Sequence, residues 1–343
     1  MTESALGRES LADLGRRVVA RTWEHGLPTW SWGEAVALVG MIRFAQALGE
    51  PVPHAVYEWL DGWSSRGVRV DHVNDVAPGI AAVLAASDSR AYPELVAPLA
   101  EWLETSPSAT RTANGAIEHW PGGVWADTAF MAGVFLGHLG AATGDRRRLD
   151  ECGRQVVAHA EVLQSPERGL FAHGSHRGET IPCRWGRGNA WCALAAVEYL
   201  ELAAATGGAD PSLVARVRTN LEQQLVALAR CQPDHGVWSV LVDDQAECAG
   251  IIETSAAAGI GAAMLRAGAV VPNLPASITD AGWLAVRGAL AYVDDGGVLT
   301  RVSAGTVLQL IPFGYSVIRD DRLQLWGQGL ALHAIAAAIG ASA

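Results

Sequence analysis

Two aspartates, Asp75 and Asp127, stand beside aromatic or polar residues and directly ahead of apolar runs that are typical of buried helices. An aspartate at such a place is ordinarily a helix cap. A carboxylate in a cleft can instead donate and accept a proton, provided that apolar walls or a second carboxylate raise its pKa. If Asp75 and Asp127 face one cavity, we expect them to titrate as a coupled pair.

Aromatic residues and histidines surround these aspartates in the sequence, and the chain holds 13 tryptophans in all. Flat aromatic faces pack against the C–H groups of sugar rings while polar neighbours bind the hydroxyls, so the pattern favours a carbohydrate site. A structural interpretation is open as well, because Trp185 and Trp191 suit an apolar core and His173 suits a backbone hydrogen bond. The spacing of His173 and His176 is weak evidence for a metal site, and we predict none.

Charge and composition exclude several classes of function. The formal net charge of −11 disfavours nucleic acid and anionic membranes, which attract basic proteins. An anionic substrate would need a local arginine to overcome this charge. The chain has no lysine, which excludes Schiff-base chemistry. Its five cysteines have irregular spacings and no CxxC pair, which argues against a disulfide framework or a zinc knuckle.

No apolar run reaches the length of a membrane span. The first segment, with Leu11, Leu14 and Val18, has the periodicity of an amphipathic helix and lacks the continuous apolar core of a signal peptide. We therefore predict a cytoplasmic protein.

Six segments share one pattern, in which a polar or aromatic cluster precedes small residues and an aliphatic run. The aliphatic runs are 35–41, 80–85, 131–139, 191–200, 256–265 and 330–339. They recur after roughly 40 to 80 residues, as helical hairpins would, and six hairpins close a ring. Runs with a charged face, at 90–105, 146–163 and 211–231, suit an outer layer. We predict an all-α fold, an (α/α)6 barrel, as a single domain over residues 1–343.

The polar clusters should converge on one mouth of this barrel, because each lies on the loop that leads into an inner helix. The mouth would collect Trp32, Asp75, His119, Trp125, Asp127, His173, Trp185, Arg187, Trp191, Glu253 and Trp326. β-Branched residues around a glycine turn also predict a small β-hairpin insertion within 286–313, near the C-terminus.

Two segments carry a family resemblance, Gly123-Val-Trp-Ala-Asp127-Thr-Ala-Phe-Met131 and Arg184-Trp-Gly-Arg-Gly-Asn-Ala-Trp191. They resemble the signature segments of the unsaturated rhamnogalacturonyl and glucuronyl hydrolases, glycoside hydrolase families 105 and 88. The resemblance continues in order through 169–174, 236–239 and 253–255. It implies an (α/α)6 barrel without a cofactor or metal. It also implies hydration of the C4=C5 double bond in a terminal unsaturated uronic acid, after which the ring opens and the aglycone leaves.

The same resemblance suggests a role for each matching residue. Asp127 would protonate C4 and then activate water for attack at C5, and Asp75 would be the second carboxylate. Arg187 would present the fork that a uronate carboxylate requires. Trp32 would stack on the sugar, and the pocket would be lined by His119, His173, Trp185, Arg187 and Trp191. The expected partner is a small oligosaccharide.

Two other classes of function stay open at this point. A sugar epimerase on the same toroid would need two bases, and His138 and His333 are the histidines that fall inside inner helices. A non-catalytic sugar-binding protein would have no need of Asp127, Arg187 and His173 together.

Overall fold

A computed structural model describes residues 7–86 and 90–342, most of which are helical. The helices are α1 (Arg8–His25), α2 (Trp32–Leu48), α3 (His54–Arg66), α4 (Pro78–Leu84), α5 (Pro93–Thr105), α6 (Ala126–Thr128), α7 (Phe135–Thr143), α8 (Arg146–Leu163), α9 (Gly186–Thr206), α10 (Pro211–Arg230), α11 (Thr254–Ala267), α12 (Ala276–Leu290), α13 (Pro312–Ser316) and α14 (Leu325–Ala341). A π-helical turn, Ala129–Val134, joins α6 to α7, and 3₁₀ turns cover Val73–Asp75 and Ala246–Cys248.

The helices form two concentric layers. The inner layer consists of α2, α4, α6 with α7, α9, α11 and α14, and each packs against the next along the chain. Helix α14 then packs against α2, which closes the ring. The outer helices α1, α3, α5, α8, α10 and α12 alternate with the inner ones along the chain. The predicted all-α fold of six helical hairpins is confirmed.

Small residues allow the inner helices to pack closely where the ring closes. A β-carbon on Gly40 in α2 would lie 2.5 Å from the carbonyl oxygen of Gly329 in α14. A β-carbon on Gly329 would lie 2.2 Å from the carbonyl oxygen of Val36. Any larger side chain at either position would push the two helices apart, so glycine is required for this closure.

The outer helices have the charged faces predicted from the sequence, and two of them begin at an aspartate cap. Asp145 caps α8 by accepting hydrogen bonds from the backbone N–H groups of Arg147 and Arg148, and Asp210 caps α10 in the same way through Ser212. Helix α8 spans the predicted 146–163, α5 begins at Pro93 rather than at residue 90, and α10 ends one residue before the predicted 231.

The first segment forms helix α1, which buries Leu11 and Val18 and packs against α14 and α2. Its amphipathic periodicity thus serves the outer layer of the ring. Throughout residues 7–86 and 90–342, none of the helices combines the length and the apolar character that crossing a bilayer requires.

The position predicted for the β-hairpin is wrong. Within 286–313, all of which the structure describes, helix α12 continues to Leu290. The β-branched residues beyond it form one isolated bridge, between Val293 and Leu299. The two-stranded antiparallel sheet lies between α8 and α9 instead, with β1 (Ser175–His176) paired to β2 (Glu179–Thr180). Arg177 and Gly178 connect the strands with φ angles of 51° and 85°, the left-handed pair that a tight hairpin turn needs.

Candidate active site

The loops that precede the inner helices meet at one end of the ring and contact one another. The indole N–H of Trp30, before α2, donates to the carbonyl oxygen of Asp75, before α4, at 2.8 Å. The ring of Trp32 stacks on that of Trp326, which connects α2 to α14, with 4.4 Å between ring centroids. Both rings are half-buried, so Trp32 lies at the predicted mouth with an indole partner of the kind that sugars stack on.

Asp127 and His173 come together because two loops hydrogen-bond to each other. The backbone N–H of Ala126 donates to the carbonyl oxygen of His173 at 2.9 Å, and that of Ser175 donates to Val124 at 2.8 Å. This pairing brings Oδ2 of Asp127 to 3.6 Å from Nε2 of His173. The His173 side chain is fully buried, whereas 13% of the Asp127 side chain is exposed.

His119 completes the surroundings of Asp127. Its Nδ1 lies 2.9 Å from the Thr128 hydroxyl, and its ring stacks on Trp125 with 4.4 Å between centroids. Burial lowers the pKa of His119 to about 3, despite the opposing effect of Asp127. This histidine is therefore neutral at physiological pH and can serve as a hydrogen-bonding group.

The pKa of the Asp127 carboxyl departs from its ordinary value. Burial raises the pKa of its carboxyl, but His173, His119 and Arg187 favour the anion more strongly and hold this pKa below its ordinary value. The raised pKa on which acid catalysis by Asp127 was made conditional is therefore not found. Asp127 is a carboxylate at neutral pH, ready to accept a proton, and acts as an acid only in the fraction of molecules in which it is protonated.

The carboxylate of Asp75 caps a helical turn, which is the structural alternative to a catalytic role. One carboxylate oxygen accepts the backbone N–H groups of Asp71 and His72, each at 3.0 Å, and caps the 3₁₀ turn Val73–Asp75. Within the residues that the structure describes, no hydrogen bond joins Asp75 to Asp127. His72 lies between the two, with its ring edge-on to that of His119 at 4.9 Å between centroids.

Arg187 is placed differently from the prediction. It is fully buried and forms an ion pair with Glu253, with 3.1 Å between Nη1 and Oε2. The same nitrogen donates to Ser303, and Nη2 donates to the Ala304 carbonyl oxygen at 3.0 Å and to Thr306 at 3.2 Å. Both terminal nitrogens are thus occupied by protein acceptors, so the guanidinium does not present its fork to a uronate.

Trp185 and Trp191 belong to the core rather than to the exposed pocket. Trp191 is fully buried and packs against Phe130, with 5.0 Å between ring centroids. Trp185 is 1% exposed and fills the space between His173, at 4.3 Å, and the Arg187 guanidinium, at 4.4 Å. Neither ring offers a free face to a sugar, so this burial gives no support to the prediction that both line the pocket.

The segment 184–191 instead positions the loops that carry the site residues. The Asn189 side chain accepts the backbone N–H of Phe171 at 3.0 Å and donates to the Phe171 carbonyl oxygen at 2.9 Å. It thereby fixes the loop that carries His173. A β-carbon on Gly188 would lie 3.3 Å from that of Ala126, so glycine also lets α9 approach the residue that precedes Asp127.

Two residues near this site were not predicted from the sequence. Tyr315 is fully buried in α13 and reaches His173 from a distant part of the chain. Ser303 binds both Arg187 and Glu253. Neither belongs to a spaced motif, because both lie in the irregular segment between α12 and α14. A signal was present in the run Pro312-Phe-Gly-Tyr-Ser, in which two aromatic residues follow a proline.

Comparison with known proteins gives consistent results. Residues 17–340 match the profile of Glycosyl Hydrolase Family 88. The chain is 29% identical to the unsaturated rhamnogalacturonyl hydrolase YesR of Bacillus subtilis, over 97% of this chain and 96% of the relative. It resembles the crystal structures of possible members of the GH105 family from Klebsiella pneumoniae (TM-score 0.85, 25% identity, covering 99% of this chain and 95% of that one) and Salmonella enterica (0.84, 23%, 99% and 96%).

Proposed function

Because the chain belongs to glycosyl hydrolase family 88, we propose that it removes a 4,5-unsaturated uronic acid from the end of a small oligosaccharide, with Asp127 as the acid and base. The predicted glycoside hydrolase is confirmed by the family. The observation that supports the role of Asp127 is its carboxylate, held against buried His173 and still open to the mouth. The stacking role of Trp32 and the placing of His119 and His173 around the sugar are part of the proposal, and the cytoplasmic location stays a prediction.

The proposed reaction adds one water molecule across the C4=C5 bond. Protonated Asp127 gives its proton to C4, and the cation that forms at C5 is stabilised by the ring oxygen. Water then attacks C5 while the Asp127 carboxylate takes up the released proton, which restores the starting acid. The product is a hemiketal, which opens to a ketone at C5. The ring opening leaves a hemiacetal at C1, and the aglycone leaves as that centre becomes an aldehyde.

The aromatic residues around Asp127 supply the means to hold the sugar. Trp32 with Trp326 and Trp125 with His119 form two stacked pairs at the mouth. A ring stacked on either pair would approach Asp127 from the open side, because the inner side is filled by His173 and Trp185. Positioning of this kind is sufficient for proton transfer to an electron-rich alkene.

The two histidines considered for an epimerase, His138 and His333, lie away from the mouth. His138 lies in α7 and hydrogen-bonds to Glu198 at 2.9 Å, and Glu198 also binds Arg43 and Arg266. These residues lie toward the C-terminal ends of the inner helices, whereas Asp127 lies at an N-terminal end. The charges of Arg266, Glu198 and Arg43 also act on buried His333, so both histidines lie in a buried charge cluster away from the candidate active site.

The proposal can be tested with matched unsaturated and saturated disaccharides. We expect the unsaturated sugar to lose its ultraviolet absorbance and the saturated sugar to be inert. In heavy water, deuterium should appear at C4 of the product. Comparable cleavage of the saturated sugar would point to ordinary attack at C1 and would overturn the mechanism, as would a product without deuterium at C4.

A further inference from the structure

Tyr315 makes the closest polar contact of the His173 ring. Its hydroxyl lies 2.7 Å from Nδ1 of His173, and both side chains are fully buried. The backbone N–H of Gln309 donates to the same hydroxyl oxygen at 3.3 Å. The Tyr315 oxygen thus already accepts one hydrogen bond, which leaves its own proton to be donated elsewhere.

The opposite nitrogen of His173 faces the catalytic carboxylate. Oδ2 of Asp127 is buried, has no hydrogen-bond partner within ordinary distance in the described chain, and lies 3.6 Å from Nε2. A neutral imidazole carries a single N–H. Burial lowers the pKa of His173, against the opposing effect of Asp127, and burial raises the pKa of Tyr315. The ring is therefore neutral, and the phenol keeps its proton.

Only one arrangement of protons satisfies all three groups. If Nδ1 carried the proton, Nε2 would turn a lone pair toward the Asp127 carboxylate, and the Tyr315 proton would have no acceptor among its two partners. If Nε2 carries the proton, it faces Oδ2 of Asp127, and Nδ1 accepts from Tyr315. The second arrangement leaves no two acceptors facing each other.

We propose that Tyr315 is a positioning residue, which acts through His173 by holding the imidazole as the Nε2–H tautomer that faces Asp127. Oδ2 of Asp127 is thereby kept on the inner side as a hydrogen-bond acceptor. Since that oxygen is buried while 13% of the side chain is exposed, Oδ1 is the oxygen that exchanges a proton with the substrate. This inference rests on the proposed role of Asp127.

The tautomer can be measured without any substrate. Nuclear magnetic resonance of the full protein with isotope-labelled histidine distinguishes protonated from unprotonated ring nitrogens, and the His173 signals are assigned by their loss in His173→Gln. We expect Nε2 to be protonated and Nδ1 to be an unprotonated acceptor near neutral pH. A protonated Nδ1, whether in the other tautomer or in the imidazolium ion, would overturn the proposal, whatever reaction the enzyme performs.

Kinetics of Tyr315→Phe supply the functional test. The variant keeps the ring and removes the donor to Nδ1, so we expect kcat to fall about tenfold while KM changes less than about twofold. Tyr199→Phe is a matched control, because Tyr199 is as fully buried, in α9, and its hydroxyl has no hydrogen-bond partner within the described residues. We expect Tyr199→Phe to leave both constants unchanged.

The outcomes separate the two proposals. An unchanged kcat in Tyr315→Phe, beside a large loss in Asp127→Asn, would remove the role of Tyr315 and leave the proposed function intact. An equal loss of kcat in Tyr315→Phe and Tyr199→Phe would indicate general damage to the core and would also overturn the proposed role of Tyr315. If Tyr315→Phe proves too unstable to assay, the resonance measurement on the unmodified protein still decides the question.

Discussion

Replacing Arg187 by methionine separates the structural role of this arginine from the uronate clamp that its sequence context suggests. The change keeps much of the length and the apolar stem, and it removes the positive charge that faces Glu253. Arg187 and Glu253 are both fully buried. Removal of one partner from a buried ion pair costs about 3–5 kcal/mol, because the other charge is left in a medium of low polarity.

The surroundings of the ion pair change this estimate little. Glu253 keeps hydrogen bonds from Ser255 and Ser303, which stabilise its charge. The carbonyl oxygens of Ser303 and Ala304 each lose one donor but keep another, the Trp326 indole N–H and the Thr306 hydroxyl, so neither is left unpaired. We therefore expect Arg187→Met to lower the free energy of unfolding by about 4 kcal/mol, a large part of the 5–15 kcal/mol that is usual for a domain.

Urea unfolding, followed by tryptophan fluorescence, measures this loss. Arg148→Met is the matched control, since Arg148 pairs with Glu104 at the surface, where an ion pair contributes about 0–1 kcal/mol. Adding Glu253→Gln to Arg187→Met should restore part of the stability by removing the unpaired charge. If Arg187→Met is as stable as the Arg148→Met control while KM rises about 100-fold, the arginine binds substrate and our structural interpretation is refuted.

Three further predictions concern activity and pH. Asp127→Asn keeps the size of the side chain but cannot transfer a proton, so turnover should fall at least about 100-fold with an unchanged melting temperature; near-normal turnover would contradict the proposed mechanism. Asp75→Asn should change kcat less than about threefold, because its carboxylate caps a turn, and a 100-fold loss would restore it as a catalytic group. Burial lowers the pKa of His119, His159 and His333 to about 3, 4 and 3, against about 6.5 in the unfolded chain. Below pH 6.5 the unfolded state therefore binds more protons than the folded state. Lowering the pH from 7 to 5.5 should reduce the free energy of unfolding by about 4 kcal/mol for the three histidines together, as measured by urea unfolding at both values. Equal stability at the two pH values would contradict the burial of these histidines as neutral rings.

The architecture was predictable because it rests on periodicity and residue size. Small residues along the inner helices and charged faces along the outer ones are visible in the sequence, and both follow from how many sides of a helix are covered. The β-hairpin was misplaced because β-branched residues in 286–313 show local preference only. The strands that do pair need the turn at Arg177 and Gly178, whose left-handed backbone was not inferred from the sequence.

The site was predictable only in part, for a physical reason. Sequence indicates which residue types gather at the mouth, and Asp127, His119 and His173 do lie together there. It does not show whether a polar side chain faces the cavity or the protein beneath it. Arg187 in the sequence is equally suited to a uronate and to Glu253, and the structure places Glu253 beside it.

The signature segment 184–191 therefore supports the loops around Asp127 and does not itself contact its carboxylate. Asn189 fixes the Phe171 backbone two residues before His173, while Arg187 binds the loop at Ser303 and Ala304 that leads toward Tyr315. One turn of α9 thus holds both segments that carry His173 and Tyr315, whose side chains meet beside Asp127. A site of this kind depends on supporting residues being held within a fraction of an ångström. We infer that substitutions in this turn would reach Asp127 through the orientation of His173, and would lower kcat without any lost contact to the sugar.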